Sequence, residues 1–327
     1  MTQLLDAQMV ASVLGMRDAI DLLEQALAHQ AEGAVFASPK FVSEFTGGAM
    51  RVLFAADHAA GRAALKAYHS IKGVGTRYVV TLYSLTSGEV LAVMDGRVIT
   101  DLRTGAATGV VARQVAIEGE VTVGIVGAGN QARTQLEALA AVYPVRSAAV
   151  FSPTAANREA YAVEMSRKLG FPVEAASSLE AAVSGKSVVA TASNARTSEP
   201  LVRGESLSAC RLLCAVGNTR AAYAELDEAC FRAASFVVMD TVHALEEAGE
   251  MRRAVAAGAL PEAKRATLAD LVAGTVAVPR HGMITFKSVG SALQDLALAS
   301  RCYDRLHGAN AGPDVASLRG KRLVATS

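Results

Sequence analysis

A glycine-rich segment in the middle of the chain has residue types that could hold a phosphorylated ligand. The segment "GAGNQA" begins at Gly127 and directly follows the strand-like run "VTVGIV". In a GxGxxA turn, Gly127 allows the tight turn, Gly129 lets a pyrophosphate approach the backbone, and Ala132 lets helix pack on strand. The helix that opens at Asn130 and Gln131 would direct its amides at the phosphates. The segment predicts a dinucleotide site, with an ordinary tight turn as the alternative.

The residues after the next strand bear on which dinucleotide is bound. A site that prefers NAD places an acidic residue roughly 20 residues on, where it holds the ribose 2′-hydroxyl. Here "AAVFSPTAANREA" has no acidic residue before Glu159. Ser152, Thr154 and Arg158 could instead receive a 2′-phosphate. The sequence favours NADP over NAD, with a solvated helix position as the alternative for Arg158.

The segments on either side of the glycine turn predict two domains. From residue 121 strand-like and helical runs alternate, which indicates a parallel sheet covered by helices. Before it, "RYVVTLYSL", "VLAVM" and "RVIT", with Asp95-Gly96 as a hairpin turn, indicate an antiparallel meander. We therefore expect an α/β chain: a Rossmann-type, doubly wound parallel sheet domain over 117–297, and a mainly antiparallel α+β domain over 1–116 plus 298–327. The second domain would supply the other wall of a substrate pocket.

Composition excludes several classes of protein. The 327 residues are 51% apolar with a formal charge of +1, and Lys and Arg are spread along the chain. No basic face for nucleic acid or an acidic membrane is indicated, and no apolar run approaches the ~18 residues of a membrane span. The first residues lack the basic and apolar segments of a signal peptide, so we expect a cytoplasmic protein. The four cysteines, with Cys210 and Cys214 in an apolar run, predict buried thiols and no metal site.

Longer motifs add a family resemblance. "VLAVMDGRVITDLRTGAATGVVAR", the glycine turn and "FKSVGSALQDLALA" resemble the ornithine cyclodeaminase/mu-crystallin superfamily over nearly the whole chain. The resemblance implies a homodimer, a central Rossmann domain, and a substrate and dimerisation domain built from the N-terminal region with the last helix.

The resemblance also implies a catalytic lysine and a carboxylate anchor. "GRAALKAY" places Lys66 at the lysine position. Partial burial would lower the pKa of this amine and suit it to proton transfer, although a lysine extending from an edge strand is the alternative. "SPKFVSEF…GGAMRVLFAA" matches the family's substrate-carboxylate region with Lys40 and Arg51. A guanidinium can clamp a carboxylate with two hydrogen bonds, so Arg51 is the better anchor.

Further residues are assigned to the ligands by the same resemblance. Arg103 and Thr104 in "LRTGA" match the family's cofactor-phosphate contact. We also assign Ser193, Val216 and Lys287 to the cofactor and Gly290 to the substrate. Lys287 could equally lie at the surface.

Two positions distinguish members of the family. Ornithine cyclodeaminases carry an aspartate where "CAVGNTRAAYAELDEA" has Asn218, which we place at the substrate. Asn is neither an acid nor a base near neutral pH, so the cyclisation is disfavoured, and "ITFKSVG" is closer to the ketimine reductases. Arg77 in "VGTRYVV" would recognise a second carboxylate if it faces the pocket; an exposed strand arginine is the alternative.

These observations predict an NAD(P)H-dependent reductase of imines of 2-oxo acids that gives L-amino acids. The imine could be a cyclic ketimine carboxylate, a linear imine formed with ammonia or an amine, or a dicarboxylic imine such as iminosuccinate. Ornithine cyclodeaminase is one alternative. A non-catalytic, mu-crystallin-like protein that binds NADP or a small ligand is another, against which Lys66 and Arg51 argue.

Overall fold

The computed structural model describes residues 2–307, together with the backbone of Asp314–Val315. The strands are β1 Thr2–Leu5, β2 Val35–Ala37, β3 Phe41–Phe45, β4 Gly48–Asp57, β5 Arg62–Ile71, β6 Gly75–Ser84, β7 Val90–Asp95, β8 Val121–Val126, β9 Val145–Phe151, β10 Val173–Ala175, β11 Val188–Thr191, β12 Leu212–Ala215, β13 Ala234–Met239, β14 Arg265–Thr267, β15 Met283–Lys287 and β16 Asp314–Val315. The helices are α1 Ala7–Val13, α2 Met16–Ala31, α3 Gly96–Gln114, α4 Asn130–Val142, α5 Ala155–Leu169, α6 Leu179–Val183, α7 Glu228–Ala233, α8 Ala244–Glu247, α9 Gly249–Ala256, α10 Leu268–Val272 and α11 Ala292–Leu306, with short 3-10 turns at Gly204–Leu207 and Glu262–Lys264.

The chain forms two compact units. The first comprises Met1–Gly15, Glu32–Thr100 and Ser291–Ser327, and the second comprises Met16–Ala31 and Asp101–Gly290. These limits differ from the expected 1–116 plus 298–327 and 117–297, because α2 packs on α4 and α10 in the second unit and all of α11 packs on β4 and β5 in the first. Within the expected 298–327, residues 308–313 and 316–327 lie outside the described part of the chain.

The first unit is built on a mainly antiparallel sheet. Its described strands have the order β16-β1-β7-β6-β5-β4-β2, with β3 added along β4. One face of this sheet is buried beneath α11, and it carries Leu53, Val80 and Met94. Because side chains alternate along a strand, the residues between them point to the opposite face, where Phe54 and Val79 are exposed.

The predicted strand "RVIT" is wrong, because these residues form the first turn of α3. Asp95 does not close a hairpin. Its carboxylate instead accepts a hydrogen bond from the amide of Arg97, as an N-cap residue does. Gly96 also lies so close to β6 that an added Cβ would be 3.0 Å from Cβ of Tyr78. The Asp-Gly pair therefore begins a helix here.

The second unit is a Rossmann-type domain. The described strands of its sheet have the order β10-β9-β8-β11-β12-β15-β13-β14 and are all parallel. The order reverses at β8, whose neighbours are β9 on one side and β11 on the other, which is the topological switch point at which such sheets bind ligands. The expected fold class is confirmed.

Small residues in α3 explain how helices approach it so closely. A Cβ added to Gly109 would lie 2.3 Å from the Ile20 side chain of α2. One added to Gly105 would lie 2.5 Å from the Thr134 carbonyl oxygen of α4. The run "TGAATG" therefore allows two helices to pack against α3 at positions where a larger side chain would separate them.

Candidate active-site residues and dinucleotide cradle

The glycine turn after β8 has the shape that a dinucleotide requires. Gly127 has φ of +115°, and a Cβ there would lie 2.5 Å from the carbonyl oxygen of Ala192, so only glycine fits. Gly129 is the N-cap of α4 without a side-chain cap, and an added Cβ would meet nothing within 4 Å. The first amides of α4 are thus left for a ligand, and this turn fits the pyrophosphate of a nicotinamide dinucleotide.

The side chains of Asn130 and Gln131 are engaged within the protein. Nδ2 of Asn130 lies 3.3 Å, and Nε2 of Gln131 3.0 Å, from the carboxylate of Asp101 on α3. These two residues would therefore contribute to a phosphate site through their backbone amides. Asp101 was not anticipated from the sequence.

The end of β9 presents a cation and hydroxyl groups. Nη1 of Arg158 donates to the Ser152 carbonyl oxygen at 3.0 Å, and its guanidinium lies 6.0 Å from the ring centroid of Phe151. Thr154 is the N-cap of α5, and its hydroxyl makes no capping hydrogen bond. The segment from Ser152 to Arg158 contains no carboxylate. Arg158 is therefore held at the strand end and does not extend into solvent as an unconstrained helix residue.

Arg103 and Thr104 lie on α3 and are buried. The guanidinium of Arg103 passes beside Gly290, where an added Cβ would lie 2.6 Å from Nη1. Gly290 is fixed in turn by Asp240, whose carboxylate accepts from the Gly290 amide at 2.7 Å and from the Ser288 hydroxyl at 2.6 Å. Asp240 was another residue that the sequence did not reveal.

Lys287 is a buried ion-pair partner. Its side chain is 0% exposed, and Nζ lies 2.6 Å from Oε1 of Glu250 and 2.6 Å from the carbonyl oxygen of Asn218. The expectation of a surface lysine is wrong. Nζ of Lys287 donates to these two protein oxygens, so its contact with a cofactor stays a prediction from the sequence.

The amide of Asn218 is likewise committed to protein contacts. Its Nδ2 donates to Oε2 of Glu250 at 2.6 Å and to the Tyr223 carbonyl oxygen at 2.5 Å, while Oδ1 accepts from the Arg220 amide at 3.0 Å. Asn218 therefore anchors the loop after β12, and both hydrogens of its side-chain amide are donated within the protein.

A second buried carboxylate joins the ends of β11 and β12. Glu225 accepts from the Thr191 hydroxyl at 2.9 Å, from the Ser193 hydroxyl at 2.7 Å and amide at 2.9 Å, and from the amides of Gly217 and Asn218 at 2.9 and 3.1 Å. Val216 is buried beside them. Ser193 and Val216 thus lie at the carboxyl ends of the central strands, as expected of residues that line a dinucleotide. Glu225 was not anticipated as a site residue from the sequence.

The first unit brings Lys66 and Arg51 to the same face of its sheet. Lys66 and Tyr68 alternate with outward residues on β5, while Arg51 on β4 and Tyr78 on β6 are the direct partners of Tyr68. The two tyrosine rings are stacked at 5.2 Å, and Nζ of Lys66 lies 5.4 Å from the Tyr78 centroid and 5.6 Å from that of Tyr68. The result is a cationic face with an aromatic wall.

Lys66 is not the isolated buried amine that the sequence indicated. Its Nζ lies 2.8 Å from Oδ1 of Asp295 on α11, and the two side chains are 3% and 1% exposed. A carboxylate at this distance favours the ammonium form of a lysine. The edge-strand alternative is excluded because β5 lies between β4 and β6.

The other residues that we expect to contact the substrate lie in different environments. Arg51 is 9% exposed, its guanidinium lies 5.6 Å from the Tyr68 centroid, and no carboxylate pairs with it among the described residues. Arg77 is exposed and pairs with His69 across the strands, which places it on the opposite face from Arg51 and Lys66. Lys40 is half-buried in the segment that precedes β3. The exposed-strand alternative for Arg77 is therefore the one that the structure supports.

The four cysteines have the environment of unreactive thiols. All four are buried and free, and burial raises the pKa of Cys210 to about 12 and moves the pKa of Cys214 and Cys230 in the same direction. In the described part of the chain no group of three or more His, Cys, Asp or Glu residues is placed to hold a metal ion. Nor does any described helix have the length and hydropathy to cross a membrane.

Comparison with known proteins places the chain in a family. The model of the ornithine cyclodeaminase/mu-crystallin family matches residues 1–310, and the chain belongs to that family. Mouse ketimine reductase mu-crystallin is 31% identical over 225 residues, which are 69% of this chain and 68% of that protein.

Two solved structures are also similar. Delta(1)-pyrroline-2-carboxylate reductase of Thermococcus litoralis, in complex with NADH and L-proline, superposes with a TM-score of 0.90 at 28% identity, covering 96% of this chain and 100% of that one. An archaeal alanine dehydrogenase dimer with bound NAD gives a TM-score of 0.87 at 28% identity, covering 97% and 99%. The relatives are NAD(P)-dependent enzymes that act on imines or amino acids.

Proposed function

We propose that the protein is an NAD(P)H-dependent reductase that converts the imine of a 2-oxo monocarboxylic acid, cyclic ketimine carboxylates first among them, to an L-amino acid. The observation that carries this proposal is the presence of two groups on one sheet face: a buried arginine without a carboxylate partner in the described residues, and a buried lysine whose Nζ lies 2.8 Å from the Asp295 carboxylate. An imino acid needs both groups, one for its carboxylate and one for its nitrogen.

Each group has a part in the reaction. Arg51 binds the carboxylate through two parallel hydrogen bonds, which fixes the orientation of the imine carbon and nitrogen. Lys66 donates a proton from Nζ to the imine nitrogen and regains one before the next turnover. A bound reduced dinucleotide would supply the hydride that the imine carbon gains. The glycine turn, Arg103 and the strand ends held by Glu225 are the residues that would hold that dinucleotide.

The substrate class follows from what surrounds these groups. Arg77, the residue that was expected to recognise a second carboxylate, lies on the other face of the sheet, so a dicarboxylic imine is not favoured. The stacked rings of Tyr68 and Tyr78 offer an apolar wall on which a small ring can lie. A complex with L-proline in the Thermococcus litoralis reductase supports a cyclic substrate.

We assign NADP as the preferred dinucleotide. The end of β9 offers Arg158 with the hydroxyls of Ser152 and Thr154, and it offers no carboxylate for a ribose 2′-hydroxyl. The similar structures contain NADH or NAD, so this preference is a property that we assign to this chain alone.

We assign a second copy of the chain to the open face of the first sheet. That face exposes Phe36, Phe41, Phe45, Met50, Phe54 and Val79 on neighbouring strands, an apolar surface typical of subunit contacts. The similar alanine dehydrogenase is a dimer. Sedimentation should give a dimer, and Phe54→Glu should give a folded monomer; a monomeric wild type would overturn the assignment.

The activity is tested by the oxidation of NADPH and of NADH, followed in the near ultraviolet. The substrates are pyrroline-2-carboxylate, piperideine-2-carboxylate, and pyruvate or oxaloacetate with ammonia or methylamine. Turnover with a cyclic ketimine, abolished in Lys66→Met, supports the proposal. Ammonia and proline formed from ornithine without net cofactor turnover would instead identify a cyclodeaminase. Tight NADPH binding without either reaction would identify a binding protein.

A further inference from the structure

Asp295 lies where it can control the proton that Lys66 delivers. The two residues are 229 positions apart in sequence, and they meet because α11 packs across β5. Their 2.8 Å contact is almost inaccessible to solvent, with side-chain exposures of 3% and 1%. The pair is therefore a fixed element of the face that carries Arg51.

Stability alone does not account for this arrangement. Two charges taken out of water lose hydration, and their mutual attraction only roughly offsets that loss, so an apolar pair of similar volume would serve the fold as well. Asp295 also lies in the first turn of α11, where the helix dipole favours a carboxylate, and the N-cap Ser291 makes no side-chain bond there. The helix thus holds a negative charge directly against Nζ of Lys66.

An unpaired buried lysine would lose its proton readily, because burial disfavours the ammonium form, whereas an adjacent carboxylate favours it. Imine reduction needs the ammonium. A proton leaves Nζ, a new N–H bond forms at the imine nitrogen, and the carbon gains the hydride that the dinucleotide supplies. If Lys66 were a neutral amine, the imine nitrogen would not receive the proton that it needs.

We propose that Asp295 is a positioning residue that keeps Lys66 in its ammonium form and aims Nζ at the imine nitrogen, an inference that rests on the proposed function. Asp295 accepts a hydrogen bond from Lys66, and in this proposal it acts on the substrate only through that lysine. Charged or titratable groups on the same face of the sheet include Arg51 on β4, Tyr78 on β6 and Tyr68 on the strand of Lys66 itself.

The chain offers a matched control. Arg62 and Asp304 form a second ion pair between β5 and α11, but this pair is more accessible to solvent, with side-chain exposures of 21% and 50%. Asp295→Asn and Asp304→Asn therefore remove the same charge from the same helix, one beside Lys66 and one away from it. Asp295→Glu keeps the charge and alters only its reach.

The test is a pH profile of kcat and KM for the full-length enzyme with a cyclic ketimine. In Asp295→Asn we expect the alkaline limb of the kcat profile to shift to lower pH by about 1–3 pH units, since that is the usual effect of one nearby charge. KM for the substrate should change little, Asp295→Glu should recover part of the rate, and Asp304→Asn should match the wild type. An alkaline limb that stays in place in Asp295→Asn would overturn the proposal.

A second readout does not depend on turnover. Lysine labelled with ¹⁵N allows the Nζ resonance of Lys66, assigned by its loss in Lys66→Met, to be titrated in the wild type and in Asp295→Asn. The pH at the midpoint of the Lys66 titration should be lower in Asp295→Asn than in the wild type. An unchanged midpoint would overturn the role of Asp295. A wild type that titrates as expected but reduces no imine would overturn the proposed function instead, so the two failures are distinguishable.

Discussion

The guanidinium of Arg103 occupies the space in which a side chain at Gly290 would lie. A Cβ added to Gly290 would come within 2.6 Å of Nη1, and the φ of +85° at this position is one that other residues rarely adopt. Asp240 holds the Gly290 amide at 2.7 Å, so the loop is not free to move aside. The phosphate contact that we assign to Arg103 therefore depends on the absence of a side chain at Gly290.

Gly290→Ala should weaken dinucleotide binding. We expect the Kd for NADPH, measured by fluorescence titration, to rise by about 10- to 100-fold, since displacing one charged hydrogen-bond donor typically costs about 1.5–3 kcal/mol. Gly274→Ala is the matched control, because Gly274 also has a positive φ, of +69°, but nothing within 4 Å of an added Cβ. Equal losses of affinity in the two variants would show that backbone strain, and not Arg103, is responsible.

Asn218→Asp should destabilise the protein and should not create a cyclodeaminase. The new carboxylate would replace an amide that donates to Glu250 at 2.6 Å, and the Tyr223 carbonyl oxygen would lose its donor. Two adjacent carboxylates cannot both ionise easily, so the pKa of one of them is raised in the folded state. A carboxyl group whose pKa is raised by folding lowers the free energy of unfolding at pH values above its pKa in the unfolded chain, and it has little effect below that pKa. The loss of stability should therefore grow as pH rises.

Thermal unfolding at several pH values measures this effect. We expect the loss to be about 1–3 kcal/mol near neutral pH, the usual cost of an unsatisfied buried polar group. Adding Glu250→Gln to Asn218→Asp should recover part of it, because one carboxylate is then removed. Formation of proline and ammonia from ornithine by Asn218→Asp would contradict the structural role that we assign to Asn218.

Much of the second unit follows from its sequence, because parallel strands and the glycine turn have local signatures. β8 with Gly127 and Gly129 is predicted by chain neighbours alone. Lys287 is different: its sequence context cannot reveal that Glu250, 37 residues away, neutralises it. Asp295 shares this difficulty, since its partner Lys66 comes from a distant strand. Its one local signal is a carboxylate on an otherwise apolar stripe of α11.

The first unit shows the limits of short-range signals. Asp95-Gly96 has the composition of a hairpin turn, yet the same residues start a helix when the Asp carboxylate caps it. Arg77 lies on the face away from Lys66 because of strand register, and register depends on the pairing of β5 with β6. A shift of one residue would have reversed that assignment.

Arg158→Gln should separate the two dinucleotides. If the guanidinium at the end of β9 receives a 2′-phosphate, the KM for NADPH should rise by about 10- to 100-fold, the value of a charge-assisted hydrogen bond, while the KM for NADH should hardly change. Arg167→Gln, which removes an exposed charge from the last turn of the same helix, should leave both unchanged. Equal KM values for NADPH in Arg158→Gln and the wild type would refute the NADP preference.

Substitution of Arg51 tests the carboxylate anchor. Arg51→Lys keeps the charge but loses the bidentate geometry, and Arg51→Met loses both. We expect the KM for a cyclic ketimine to rise by about tenfold in the first and by about 100-fold or more in the second, in line with the loss of one and then two charged hydrogen bonds. Binding of NADPH in the absence of substrate should be unaffected, because the residues assigned to the dinucleotide belong to the second unit.

Arg77→Met is the control for Arg51, and it also tests the substrate class. Arg77 lies on the opposite face of the same sheet, so its loss should leave the KM for a monocarboxylic ketimine unchanged. The comparison is repeated with the imine formed from oxaloacetate and ammonia, with the oligomeric state of each variant checked by sedimentation. A dicarboxylic substrate that is preferred by the wild type and lost in Arg77→Met would mean that Arg77 binds a second carboxylate after all, and the assignment to monocarboxylic imines would then be wrong.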